Sequence, residues 1–173
     1  SDALALGSNA SSSASNATAL GSIASASGEY ATASGYNAHA SGSKATALGY
    51  NAYASYDDSL AAGSSAKAYA KNAVALGNSA YASLDGAVAL GSNSVASRAS
   101  GTVGYDPLTG TSSALSSGIW KATDSAISIG NGTSVTRQLT GLAAGSADTD
   151  AVNVAQLKNA VSAISFDYSI FNG

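Results

Sequence analysis

With 173 residues, no cysteine and one histidine, the chain has no disulfide framework and no thiolate chemistry, and too few side chains for a histidine- or thiolate-ligated metal site. A net charge of -3 leaves no basic face for nucleic acid, and two Phe and one Trp leave no large-residue core. No signal peptide and no membrane span is visible.

Order comes from a fourteen-residue repeat that runs from the first residues to Gly91. Glycine recurs at Gly7, Gly21, Gly35, Gly49, Gly63, Gly77 and Gly91, each two residues after an alanine. Three residues beyond each glycine stands Ala10, Ala24, Ala38, Ala52, Ala66 or Ala80, with Ser94 closing the series. A disordered Ala/Ser/Gly-rich chain would not hold that phase, so the period implies stacked units, none able to bury its apolar face alone. The chain opens within a unit, at Ser1-Asp2-Ala3, and reads as a piece of something longer.

Each unit alternates as strands do. In Asn72–Asp85, Ala73 and Ala75 lie on one face of the first strand and Val74 and Leu76 on the other. After the glycine, Ala80 and Ala82 point one way and Ser79, Tyr81 and Ser83 the other. The expected fold is a mainly β solenoid, two strands per turn, with glycine at the bend and alanines filling a narrow interior. Seven turns would stack into a rod about 30 Å long. The remaining face carries Leu4, Leu6, Leu20, Leu48, Val74, Leu76, Val88 and Leu90, more apolar surface than a soluble monomer leaves in water. The repeat therefore calls for a closed oligomer without fixing the number of chains.

Past Gly91 the phase breaks and returns at Asp124–Gly130, where Ile127 and Ile129 occupy the Val74 and Leu76 positions. Residues 98–122 read as an insertion within an eighth turn; it holds Pro107 in a turn and Trp120 as a packing anchor. Asn131–Gly145 links to a helical stretch, with a turn at Asn131-Gly132. Val154, Leu157, Val161, Ile164, Tyr168 and Phe171 are spaced as a coiled-coil seam. Ser146 or Asp148 is the expected helix cap, and Asp148 and Asp150 suit the positive helix end.

The unit NAVALGNSA closely resembles the head repeat of trimeric autotransporter adhesins, the YadA-like head. Thr136–Lys158, with its DAVNVAQL run, resembles the neck of the same family. The resemblance implies a left-handed parallel β-roll of three chains: a head over residues 1–130, a neck over 131–153 and the start of a coiled-coil stalk over 154–173. It also implies a bacterial cell-surface location, with an outer-membrane anchor and signal peptide outside this sequence. Ser34 and Ala62 depart from the large residue of their column and imply looser packing at the axis, and Phe166–Phe171 matches no named motif.

No catalytic set emerges, and no cofactor is expected. His39 is the single candidate for a triad and sits in an outer column that reads as exposed. Hexapeptide acyltransferase and calcium-binding nonapeptide periods are absent, and Asp57 and Asp58, if on a strand, face opposite ways. Thr18, Thr32 and Thr46 fall in register as in ice-binding solenoids, but Leu60, Val74 and Val88 continue their column. The ligand candidates are the outer columns His39, Tyr53, Lys67, Tyr81 and Tyr36, Tyr50, since tyrosine joins apolar area to a polar tip; the same ladders read equally as cross-strand stabilisation of the sheet. Attachment to matrix protein, host-cell receptor or other bacteria is the expected function, with a ligand-free structural spacer or an ice-binding solenoid as alternatives. In the neck, Arg137 is expected to pair with Asp148 or Asp150 of another chain.

Overall fold

The computed structural model describes residues 2–115 and 117–163, in two compact units, Ser1–Arg137 and Gln138–Gly173. In the first, short strands alternate between two parallel sheets. The first three turns are β1 (Leu4–Leu6) and β2 (Ser11–Ser12), β3 (Thr18–Leu20) and β4 (Ser25–Ala26), β5 (Thr32–Ser34) and β6 (His39–Ala40). The next two are β7 (Thr46–Leu48) and β8 (Tyr53–Ala54), β9 (Leu60–Ala62) and β10 (Lys67–Ala68). Turns six and seven are β11 (Val74–Leu76) and β12 (Tyr81–Ala82), β13 (Val88–Leu90) and β14 (Val95–Ala96). Partners lie one unit apart, as Ala75 with Ala89 and Ala68 with Ala82, so the sequence period is the ladder register.

The interior is alanine. Ala17, Ala19, Ala24 and Ala26 of the second turn are fully buried, and the same four positions are filled and buried in the turns that follow. A sheet-to-sheet gap this narrow admits one methyl from each side, which is why propensity for larger β-formers is overridden here. Two of these positions hold buried serines, and neither hydroxyl is orphaned. Ser59 Oγ donates to the Tyr56 carbonyl at 2.5 Å and Ser94 Oγ to the Leu90 carbonyl at 2.7 Å.

The bends follow a shorter period than the sequence displays. A left-handed residue recurs every seventh position, at Asn9, Asn16, Ile23, Tyr30, Asn37, Lys44, Asn51, Asp58, Ser65, Asn72 and Ser79, then Gly86 and Asn93. Asparagine tolerates this region; for the β-branched Ile23, at φ 61°, it is a strained choice. This corrects two readings: Ser79 belongs to a bend and not to the second strand, and so do Asp57 and Asp58. Asp57 uses its carboxylate to accept the Ser43 N–H one turn earlier at 2.9 Å, and Asp85 accepts that of Lys71 at 3.0 Å. At the other bend, Gly77 has φ 128°, and an added Cβ would lie 2.6 Å from the Gly91 carbonyl carbon. Glycine is needed there both for conformation and for the next turn to stack.

After β14 the chain leaves the roll and returns as the eighth first strand, so the insertion lies between the seventh and eighth turns. It contains the antiparallel pair β15 (Tyr105–Asp106) and β16 (Thr111–Ser112), and an antiparallel bridge joins Val103 to Lys121. Asp106 Oδ1 accepts the Leu108 N–H at 2.9 Å, fixing the Pro107 turn, and Trp120 is half-buried at the base. The returning strand, β17 (Ile127–Ser128), sets Ile127 against Val88, as the sequence pattern expects.

In the second unit one helix is described, α1 (Val154–Ala163). Its cap is not Ser146 or Asp148. Asn153 Oδ1 accepts the Gln156 N–H at 3.0 Å while Gln156 Oε1 accepts the Asn153 N–H at 3.2 Å, a reciprocal capping box. Gln156 Oε1 also accepts the Gly145 N–H at 3.0 Å, and its Nε2 donates to the Gly145 carbonyl at 2.9 Å. Asp150 serves a turn further upstream, where Oδ2 accepts from Ser146 N–H, Ala147 N–H and Ser146 Oγ. Those bonds, led by the Ser146 N–H, lower its pKa from the ordinary value. Val154, Leu157 and Val161 line one exposed stripe; Ile164, Phe166, Tyr168 and Phe171 lie outside the described residues.

Candidate adhesive surface and apolar stripe

Two faces of the roll carry what the alanine interior cannot. On the outer face of the second sheet, Ser25, His39, Tyr53, Lys67, Tyr81 and Val95 align rung by rung. His39 stacks on Tyr53 with ring centroids 4.7 Å apart and planes 9° from parallel. His39 is half-buried and not exposed as the sequence suggested; its Nδ1 carries the proton it donates to the Asn37 carbonyl at 2.9 Å. On the neighbouring bend Tyr36 stacks on Tyr50 at 5.4 Å, and between the two columns the Asn37 amide donates to Asn51 Oδ1 at 2.7 Å.

Sequence reasoning missed Tyr69. It packs edge-on against Tyr53 at 6.4 Å and against Tyr81 at 5.8 Å, joining both tyrosines across the Lys67 rung. Burial, then the neighbouring Tyr53 and Tyr81, push its phenol pKa up, so it stays a neutral donor. The signal was available: Tyr69 stands in a column otherwise filled by Ser13, Ser27, Ser41, Ser55, Ser83 and Ser97. The rings form a rigid, ridged surface whose polar tips can hydrogen-bond a partner.

The other face is the stripe from the first sheet. Leu6 is 67% exposed, Leu76 43% and Leu90 44%; Leu4, Leu48 and Ile127 are also exposed, while Leu20, Val74, Val88 and Ile129 are half-buried. Thr18, Thr32 and Thr46 pair in register but give way to Leu60. Arg137, at the end of the first unit, bonds to its own roll, at the carbonyls of Ser92 and Ile129 and at Ser94 Oγ. Asp150 is likewise engaged by its own turn. Among the described residues no group of three His, Asp or Glu side chains could hold a metal, and no helix is long and apolar enough to cross a membrane.

A parallel roll of two short strands per turn, with alanine inside, glycine at the bend and an exposed leucine face, is the architecture of a repeat-built solenoid made to associate through one side. Family comparison agrees. The YadA head domain repeat matches residues 1–22, 26–52, 54–80, 68–94 and 82–102, and the coiled stalk of trimeric autotransporter adhesin matches 138–169. This chain belongs to the trimeric autotransporter adhesins, a family and fold that are not those of enzymes. It is similar to autotransporter adhesin BadA of Bartonella henselae, 51% identical over 65 residues, which are 37% of this chain and 2% of that protein. It is also similar to the collagen-binding domain of Yersinia adhesin YadA, at 31% identity and a TM-score of 0.54. That match covers 93% of this chain and 68% of the other. Residues 103–137, the insertion and the return to the roll, fall between the matched segments.

Proposed function

We propose that this chain is the head, neck and first stalk turns of a homotrimeric adhesin displayed on the bacterial outer membrane, and that it attaches cells to a matrix protein, host receptor or other bacteria. The observation that carries this is the division of labour around one rod. A leucine stripe on the first sheet asks for copies of itself, while the second sheet and its neighbouring bend turn ordered tyrosines outward. Three copies closed on the stripe remove it from water, and each then presents the His39–Tyr81 and Tyr36–Tyr50 columns once. Threefold display lets weak contacts add as avidity. The proposed boundaries are head 1–130, neck 131–153 and stalk from 154, the exposed Val154, Leu157 and Val161 joining their counterparts.

The Yersinia structure is of a collagen-binding domain, so collagen is the first ligand to test. Solution mass by sedimentation should be three times that of the 16.6 kDa chain. The trimer should bind immobilised collagen or other matrix proteins, or whole cells, and Tyr36→Ala with Tyr50→Ala, or Tyr53→Ala with Tyr81→Ala, should weaken binding while leaving the mass unchanged. A trimer that binds none of these surfaces would favour the structural spacer.

A further inference from the structure

Each inner turn of the roll satisfies the carbonyls of its glycine bend with N–H groups of the next turn. The carbonyls of Ser8, Ser22, Tyr36, Tyr50, Ser64 and Asn78 accept from the left-handed residue fourteen positions after their neighbour, for example Asn93 N–H to Asn78 at 2.8 Å. Leu6, Leu20, Ser34, Leu48, Ala62 and Leu76, each just before a glycine, accept from the glycine of the next turn, as Gly91 N–H donates to Leu76 at 2.7 Å. This pattern ends where the repeats end. Among the described residues no backbone N–H of a further bend reaches the Ser92 or the Ile129 carbonyl, and these two acceptors would be left at the rim of the roll.

We infer that the Arg137 guanidinium is a surrogate rung, closing the roll by supplying the two donors that a further bend would have supplied. Nη2 donates to the Ser92 carbonyl at 2.6 Å, and Nη1 donates to the Ile129 carbonyl and to Ser94 Oγ, the latter at 3.0 Å. Its location is as specific as its bonding. A Cβ added to Gly77 would meet the Gly91 peptide, and one added to Gly91 would instead meet the Arg137 Cζ at 2.9 Å. The planar guanidinium therefore lies where a planar peptide would. Ser94 is the matching half of the device. It replaces the alanine of every earlier unit, is fully buried, accepts from Arg137 and donates its own O–H to the Leu90 carbonyl at 2.7 Å. A fork with fixed geometry can span two carbonyls; a lysine ammonium carries the charge without the fork.

The test is hydrogen exchange on the assembled protein, with thermal melting alongside. Arg137→Lys and Arg137→Ala should both speed exchange at Asn93 and Val95 about tenfold or more, the factor equal to roughly one lost charge-assisted bond. Gly49 and Asn51, deep in the stack, should not change. Ser94→Ala should speed the same amides, and in the Arg137→Ala background it should add less than it does alone, because the two act as one unit. The rival is charge pairing of Arg137 with Asp148 or Asp150 of a neighbouring chain. It predicts that Arg137→Lys behaves as the parent, that Asp148→Asn with Asp150→Asn reproduces the loss, and that Ser94→Ala is independent of Arg137. Either that set of results, or unchanged exchange at Asn93 and Val95 in both Arg137 variants, overturns the surrogate rung.

Discussion

Ile23 shows what a single residue contributes when the backbone has already decided its conformation. Its neighbours in the column at one-turn spacing are Asn9 and Asn37, and all three hold φ between 52° and 61°. Left-handed backbone costs an ordinary L-residue roughly 1–2 kcal/mol, more for a branched Cβ and less for asparagine. Ile23 is 41% exposed, so little burial offsets that strain. Ile23→Asn should therefore stabilise the roll by about 1 kcal/mol per chain, read as a higher denaturant midpoint. Unchanged stability would mean the isoleucine is held by contacts that match its strain. Asp150 gives a second residue-level test. Its pKa is lowered by N–H donors of its own turn, so its contribution is present above the ordinary value of 3.8 and is lost as pH falls through the depressed one. A carboxylate NMR titration should place its midpoint below 3.8, and Ser146→Ala should leave most of the shift, since backbone donors lead.

At the scale of elements, the alanine interior and the helix cap make opposite demands on sequence reading. Four alanines per turn were legible because each sits two residues from another on a strand, and period two assigns faces without further information. Ala75→Leu should overfill the gap between the sheets and lower stability by about 1–3 kcal/mol per chain in chemical denaturation. A neutral result would put Ala75 on the wrong face. The seven-residue spacing of the bends was hidden by chemistry: Ile23, Tyr30 and Lys44 share a conformation with Asn37 and Asn51 but no side-chain property. The cap was misplaced because Ser146, Asp148 and Asn153 all suit the role in isolation. Asn153 wins since Gln156, three residues on, completes the box and also accepts the Gly145 N–H. Asn153→Ala should lower helical content and cost about 1 kcal/mol. Tyr69 stood out as the one tyrosine in a serine column, but its edge-on packing against Tyr53 and Tyr81 needs ring orientation, which register alone does not give.

For the whole molecule, the leucine stripe links the repeat to assembly, and it can be tested without knowing the ligand. Leu76 stands mid-stripe, 43% exposed, with Ala62 and Leu90 as its ladder partners. Its small neighbour Ala62 means that little of Leu76 is covered by its own chain on that side. In the proposed trimer the side chain would be covered by two other protomers. Leu76→Asp would then set three carboxylates around one axis in an apolar setting, where repulsion and desolvation act together. Within a chain the same change leaves an aspartate at a half-open position, which each roll can solvate. The expected outcome is therefore a lower sedimentation mass at dilutions where the parent remains trimeric, with β content by circular dichroism retained if single rolls persist. Leu108→Asp, at the 92% exposed tip of the inserted hairpin, is the control for added charge alone and should leave the mass unchanged. An equally stable trimer from Leu76→Asp would place the interface on another face, and the tyrosine columns of the second sheet would then have to be reconsidered as buried contacts between chains.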